Sequence, residues 1–292
     1  MATLKSLRNR IGAIHSTKKI TKAMKLISSA KYLNTKNILK DVLPYHEKIE
    51  TIAKSLLNEL DEDVLKDCPY ISCKSNVDNK LTILIIITSD KGLCGSFNIN
   101  VLKALAKKTA ELEANQQKYM IYCVGNKGFE LIKKRYKISL IEKVSLSLNI
   151  IDIENFMNKL MQVFQNQEAS ECCVIFNEYK AHSSNQTVIH ALLPYNKTSN
   201  SSSLEPFKKY EPAPHLQLLP ILKRRLYINI KIALLESIVS EHLARMLAMD
   251  SATNNAQEMV DKLTLLYNRT RQGNITRELI EIISGAEALN AN

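Results

Sequence analysis

Ala244-Arg245-Met246-Leu247-Ala248-Met249-Asp250-Ser251-Ala252 sits within a run, Ile221 to Leu289, that holds no proline and only two glycines, Gly273 and Gly285. Nothing in that run stops a helix, and at about 1.5 Å per residue it predicts a rod on the order of 100 Å long. A chain of 292 residues has no single core that could bury such a rod, so the helix needs a long partner. The other end of the chain supplies one. Met1 to Leu43 has one glycine, Gly12, and no proline. Leu4, Leu7, Ile11 and Ile14 step at three and four residues, and after a shift Ile20, Met24 and Ile27 do the same. Pro44 either kinks or restarts this helix, and Ile49, Ile52, Ala53, Leu56 and Leu57 continue its apolar face. The two ends are therefore expected to pair as an antiparallel coiled coil. Ala244, Ala248 and Ala252, four residues apart, are expected to let the two backbones approach closely.

Between the ends the period changes. Leu81-Thr82-Ile83-Leu84-Ile85-Ile86-Ile87 is a β-branched run of the kind found in a strand buried on both faces. It ends in a turn, Thr88 to Gly95, and is followed by a helical pattern from Ile99 to Leu112. Further strands are expected at Tyr119–Val124, Ile138–Val144, Cys172–Tyr179 and Thr187–Leu193, the last two as a hairpin. Helices are expected at Gly128–Arg135 and Asp152–Phe164. Strand and helix alternate, which predicts an α/β domain with a mostly parallel sheet. The polar stretches Asp61 to Asn79 and Asn196 to Pro214 read as a loop and a linker. The expected division is 1–60 for the N-terminal helix, 75–195 for the α/β domain, 196–214 for a linker or foot, and 215–292 for the C-terminal helix.

The composition narrows the function. The charge of +11 is uneven: Met1 to Lys40 contains ten basic residues and no Asp or Glu. Such a field attracts nucleic acid, an anionic membrane face or an acidic protein surface. Tyr32 is the lone aromatic of that segment, so a basic coiled coil that binds nucleic acid lacks a stacking surface. No apolar run reaches membrane-spanning length. The six cysteines follow no framework or zinc spacing and read as reduced, buried thiols. The turn Gly92-Leu93-Cys94-Gly95 lacks the pattern of a phosphate-binding loop. The six histidines are scattered. No catalytic constellation emerges, and neither a cofactor nor a metal is implied.

The two ends carry a resemblance. Leu4-Lys5-Ser6-Leu7-Arg8-Asn9-Arg10-Ile11 with Thr17-Lys18-Lys19-Ile20-Thr21-Lys22-Ala23-Met24 is similar to the opening of the γ-subunit family of F-type ATP synthases. The stretches Ala244 to Met249, Ser251 to Ala256 and Tyr267 to Gln272 resemble that family's last helix. So does Ile275-Thr276-Arg277-Glu278 with Glu281 and Gly285-Ala286-Glu287-Ala288, and Ser89 to Gly95 resembles its internal turn. The matches keep their order along the whole chain.

The resemblance implies a Rossmann-like middle domain bracketed by an antiparallel coiled coil of both termini. It implies a non-catalytic rotor shaft inside a ring of three α and three β subunits, with the ε subunit and a membrane ring of c subunits at its foot. It also implies proton-driven ATP synthesis at the cytoplasmic side of a bacterial inner membrane, and a mature chain that begins with the basic helix. By the same resemblance Lys18, Lys19, Lys22, Met24 and Lys25, with Arg271, Gln272, Thr276 and Glu278, would meet the β subunits. Ile282, Ile283, Ala286 and Leu289 would form an apolar tip turning in a sleeve. Tyr210 and Glu211 would face the c-ring and ε.

Overall fold

The computed structural model describes residues 3–60, 65, 68, 70–71, 81–165, 169–180, 186–195 and 211–290. Most of the expected loop after residue 60 and of the linker after residue 195 lies outside them, as do Cys73 and Tyr210. The elements in chain order are α1 (Leu4–Glu59), β1 (Leu81–Ile87), α2 (Phe97–Ala114), β2 (Lys118–Val124), α3 (Asn126–Ile132), a 3-10 turn (Ile138–Leu140), β3 (Ile141–Val144), α4 (Ile150–Gln165), β4 (Glu171–Glu178), β5 (Gln186–Leu193) and α5 (Pro214–Asn290). The α/β class is as the alternating pattern predicts: two long terminal helices bracket a mostly parallel sheet. The third strand is shorter than expected, because Ile138 to Leu140 close a 3-10 turn before the pairing with β2 starts at Ile141. Pro44 lies inside a continuous α1, and Pro220 inside a continuous α5.

Packing divides the chain into two units, Ala30–Ala244 and Met1–Ser29 with Arg245–Asn292. The first holds a five-stranded sheet in the order β3-β2-β1-β4-β5, in which β5 alone runs antiparallel. Alternation along the central strand explains its two layers. Ile83, Ile85 and Ile87 join a core with Ile153, Phe156, Met157 and Leu160 of α4, Leu39, Ala53 and Leu56 of α1, and Leu222, Leu226 and Leu235 of α5. Leu84 and Ile86 point the other way, onto Val101, Leu105 and Leu112 of α2 and Ile132 of α3. Fully burying side chains of this size stabilises by about 1.5–3 kcal/mol each, so β1 holds the unit together from its centre.

Two glycines let β2 turn into α3 against β1. Gly125 has φ of 99°, and a Cβ on Gly128 would lie 2.2 Å from Thr88 Oγ1. Thr88 cannot retreat, since its hydroxyl donates to the Val124 carbonyl at 2.7 Å. Five of the cysteines are described, and all five are buried and unpaired. Burial pushes the Cys123 thiol up to about 12, with Thr88 and Lys143 pulling weakly the other way.

Candidate functional site

The second unit pairs the first turns of α1 with the C-terminal stretch of α5. Its buried or half-buried positions on α1 include Leu4, Leu7, Ile11, Ile14, Lys18, Thr21, Lys25 and Ser28, an unbroken three-and-four spacing, with half-buried Met24 and Ser29 flanking it. Met246, Met249, Thr253, Ala256, Val260 and Leu263 answer with the same spacing on α5. The antiparallel direction follows from the bonds. Lys25 Nζ meets Asp250 Oδ1 at 2.6 Å, Thr253 donates its hydroxyl to Thr21 Oγ1 at 2.8 Å, and Lys18 Nζ donates to Gln257 Oε1. As the α1 numbers fall, the α5 numbers rise.

This corrects one reading from the sequence. The apolar face of α1 does not shift to Ile20 and Ile27; those two are 60% and 57% exposed, and polar side chains hold the seam at that level. Ala248 and Ala252 are half-buried; Arg245, Met249, Ala256 and Val260 are buried. Hydropathy assigned the inside to the wrong side chains here because the inside is hydrogen-bonded. Gln257, Asp250 and Thr253 went unrecognised for the same reason; reading the two seven-residue steps, Leu4-Ile11-Lys18-Lys25 and Leu7-Ile14-Thr21-Ser28, would have found their partners.

The residues expected to meet the β subunits, and those of the expected apolar tip, lie in this unit too. Lys18 and Lys25 are engaged across the seam, with Lys25 39% exposed. Lys19 and Lys22 are exposed and Met24 is half-buried. From Arg271 to Ala286 every residue of α5 is exposed, including Arg271, Gln272, Thr276, Glu278, Ile282, Ile283 and Ala286. Leu289 continues the same helix. Ile275, Leu279, Ile280, Ile282 and Ile283 are 48–67% exposed. A single helix carrying that much bare apolar surface is stable only when something covers it.

In the other unit, the crevice at the carboxyl ends of β1 and β4 is where a doubly wound sheet usually takes a ligand. Here the chain's own groups fill it. Asn98 Nδ2 donates to Ser89 Oγ at 2.8 Å, and Asn98 Oδ1 accepts from the Ser89 N–H at 3.0 Å. Asn177 Nδ2 donates to the Phe97 carbonyl at 3.0 Å. Leu93, at φ 64°, turns the loop outward and is 61% exposed. The expected phosphate-loop lookalike is thus a self-satisfied turn. Among the described residues no group of three His, Cys, Asp or Glu side chains is placed to hold a metal ion.

A second polar cluster lines a cavity of about 530 Å³ between α1, α5, β4 and β5, with His46, Glu50, Glu178, His190, Asn229 and Glu236 on its walls. Glu50 is held by Arg225. Burial works to raise its carboxyl, but Arg225, with His46 and Lys54, brings it below the usual carboxylate range. Glu236 goes the other way: burial, then the charge of Glu178, push it up to about 7 against the Tyr179 N–H. At the expected foot, Glu211 is exposed.

The comparisons with known proteins follow this geometry. A family model described as ATP synthase matches residues 3–289. An ATP synthase gamma chain from Pelagibacter ubique is 36% identical over 295 residues, covering 99% of this chain and all of the relative. Among solved structures, a chain of the Euglena gracilis mitochondrial ATP synthase, from its OSCP/F1/c-ring in rotational state 3, superposes with a TM-score of 0.66. It is 18% identical and covers 99% of this chain and 95% of its own. A chain of the Tetrahymena thermophila mitochondrial ATP synthase, from the central stalk and c-ring, has a TM-score of 0.58 at 22% identity, covering 80% and 99%. With nearly the whole length matched in sequence and the same fold found in solved relatives, the chain belongs to the ATP synthase gamma chain family.

Proposed function

We propose that the chain is the turning shaft of an F-type ATP synthase, catalysing nothing itself and transmitting rotation of a c-ring to three catalytic β subunits held apart by three α subunits. The observation that carries this reading is the end of α5. From Arg271 to Ala286 every residue is exposed, apolar ones included. A sleeve of other subunits is the cover such a helix needs. In that sleeve Ile282, Ile283, Ala286 and Leu289 form the bearing tip, and Arg271, Gln272, Thr276 and Glu278 form a catch against β loops. Lys19 and Lys22, with half-buried Met24 beside them, offer an exposed basic face to the acidic surfaces of the same subunits. Glu211, with Tyr210 beyond the described residues, faces the c-ring and ε.

The energetics fit a shaft. Driving a two-state site from 1:99 to 99:1 takes roughly 5.5 kcal/mol of differential contact. One charge crossing a membrane delivers about 2.3 kcal/mol per 100 mV, so several crossings must be summed before one site switches. A protein that sums them has to hold its shape while loaded. Among the described residues no helix is long and apolar enough to cross a membrane. In this reading the chain therefore sits peripherally, on the cytoplasmic side of an inner membrane, through its partners.

Reconstitution tests the proposal. The purified chain mixed with matching α and β subunits is expected to elute as one copy per three of each and to give ATP hydrolysis that it lacks alone. Failure to co-elute with that ring, under conditions where α and β assemble with an authentic γ chain, sinks it.

A further inference from the structure

The seam of the terminal unit is built against burial. On one helix, Lys18, Thr21, Lys25 and Ser28 occupy the inward heptad positions, while Ile20, Leu26 and Ile27 lie outside at 57–61% exposure. Ile20 and Ile27 flank that stripe on one side and Leu26 on the other. Within it, three of the four polar groups find a partner across on α5: Lys25 with Asp250, Thr21 with Thr253, Lys18 with Gln257. Thr21 passes its own hydroxyl proton to the Lys18 carbonyl at 3.1 Å, which chains two of the layers together.

We propose that these three polar layers are a register lock, and that Lys18 and Lys25 serve it as positioning residues facing α5. An apolar seam of three-and-four spacing tolerates a slip of one heptad, because one aliphatic side chain packs nearly as well as another. Polar layers do not. A slip one way sets Thr21 against Val260 and Lys25 against Gln257; a slip the other way sets Thr21 against Met246. Either direction breaks the Thr21–Thr253 bond and takes Lys25 away from Asp250, while each hydroxyl keeps its carbonyl within its own helix, Lys18 for Thr21 and Met249 for Thr253; the cost falls on the separated charges. The consequence, and only the consequence, rests on the shaft reading. A slip of seven residues moves Arg271 to Glu278 by roughly 10 Å along α1, out of step with Lys19 and Lys22.

The lock is tested on the full-length chain by the distance between spin labels, carried on unnatural amino acids, at the exposed positions Ala23 and Glu258. The unaltered chain is expected to give one distance. Lys25→Asp alone should broaden or split it, and Lys25→Asp with Asp250→Lys should restore it. The all-apolar seam (Lys18, Thr21, Lys25, Asp250, Thr253 and Gln257 each changed to Leu) should likewise broaden or shift it. A single unshifted distance in both the all-apolar chain and Lys25→Asp overturns the lock. If the all-apolar chain loses helicity, the single and swapped variants decide alone. ATP hydrolysis after reconstitution is read separately. Its loss with the distance intact counts against the shaft reading, not against the lock.

Discussion

Arg225 grips Glu50 with two hydrogen bonds, Nε to Oε1 at 2.6 Å and Nη2 to Oε2 at 2.8 Å, while its guanidinium lies 4.1 Å from the centre of the Tyr195 ring. Both side chains are largely buried, at 14% and 18% exposure. The pair joins α1 to α5 beside a second polar contact, His46 Nε2 to Asn229 Oδ1 at 2.9 Å. Removing one partner strands the other charge. Arg225→Met is expected to cost about 3 kcal/mol in urea unfolding. Arg225→Met with Glu50→Gln should cost clearly less than the sum of the single changes; additivity would mean that the two do not act as a pair.

The same carboxylate predicts part of the acid behaviour. Glu50 is held below its ordinary value of 4.5, so its contribution is complete above that pH and is lost as pH falls through the folded value. Arg225→Met is expected to flatten the loss of stability below about pH 4.5. An unchanged acid slope in that variant would rule the linkage out.

Glu236 predicts the opposite slope. Its carboxyl is raised to about 7 by burial and by the charge of Glu178, so the folded protein holds a proton that the unfolded chain releases. Between about pH 4.5 and 7 that favours the folded state at the acid end, and the contribution fades as pH rises. Glu236→Gln should remove this decline and leave the protein more stable than the wild type at pH 8. Equal stability of the two proteins across pH 5–8 would contradict it.

Gly128→Ala is expected to destabilise by about 2 kcal/mol or more. The new methyl would sit 2.2 Å from Thr88 Oγ1 and 2.7 Å from Thr88 Cβ, so β1 and α3 would have to part. A thermal melt unchanged from wild type would show that Thr88 yields more easily than its bond to the Val124 carbonyl suggests.

Tyr195→Phe should be neutral or slightly stabilising. The Tyr195 hydroxyl is buried and has no hydrogen-bond partner among the described residues, so its removal relieves a desolvation cost while the ring keeps its place under Arg225. A loss above about 1 kcal/mol would mean that the hydroxyl has a partner outside those residues.

The fold was legible where periodicity and burial agree. Leu81 to Ile87 reads as a doubly buried strand, and it is one, with cores on both faces. The freedom of Ile221 to Leu289 from helix breakers reads as one helix, and α5 is continuous through it. Legibility failed at the seam, where a hydrogen-bonded Thr21 outcompetes Ile20 for the interior; hydropathy cannot register a partner 232 residues away. It failed in another way at Ile138 to Leu140, where apolar residues close a 3-10 turn and the strand begins later. Of the residues taken from the family resemblance, the sequence could rank Lys18, Lys19, Lys22 and Lys25 only as equal charges. The structure separates them, turning Lys18 and Lys25 inward and leaving Lys19 and Lys22 outside.

A helix pair with lysine and threonine inside and isoleucine outside has a bearing on cellular housekeeping. A copy synthesised in excess of its partners displays Ile20, Ile27, Leu265 and Ile282, each more than half exposed, which is the kind of display that chaperones and proteases recognise. Assembly hides it. Under the shaft reading this display is a signal of orphanhood, and the steady-state amount of the chain is expected to follow the supply of the subunits that wrap it.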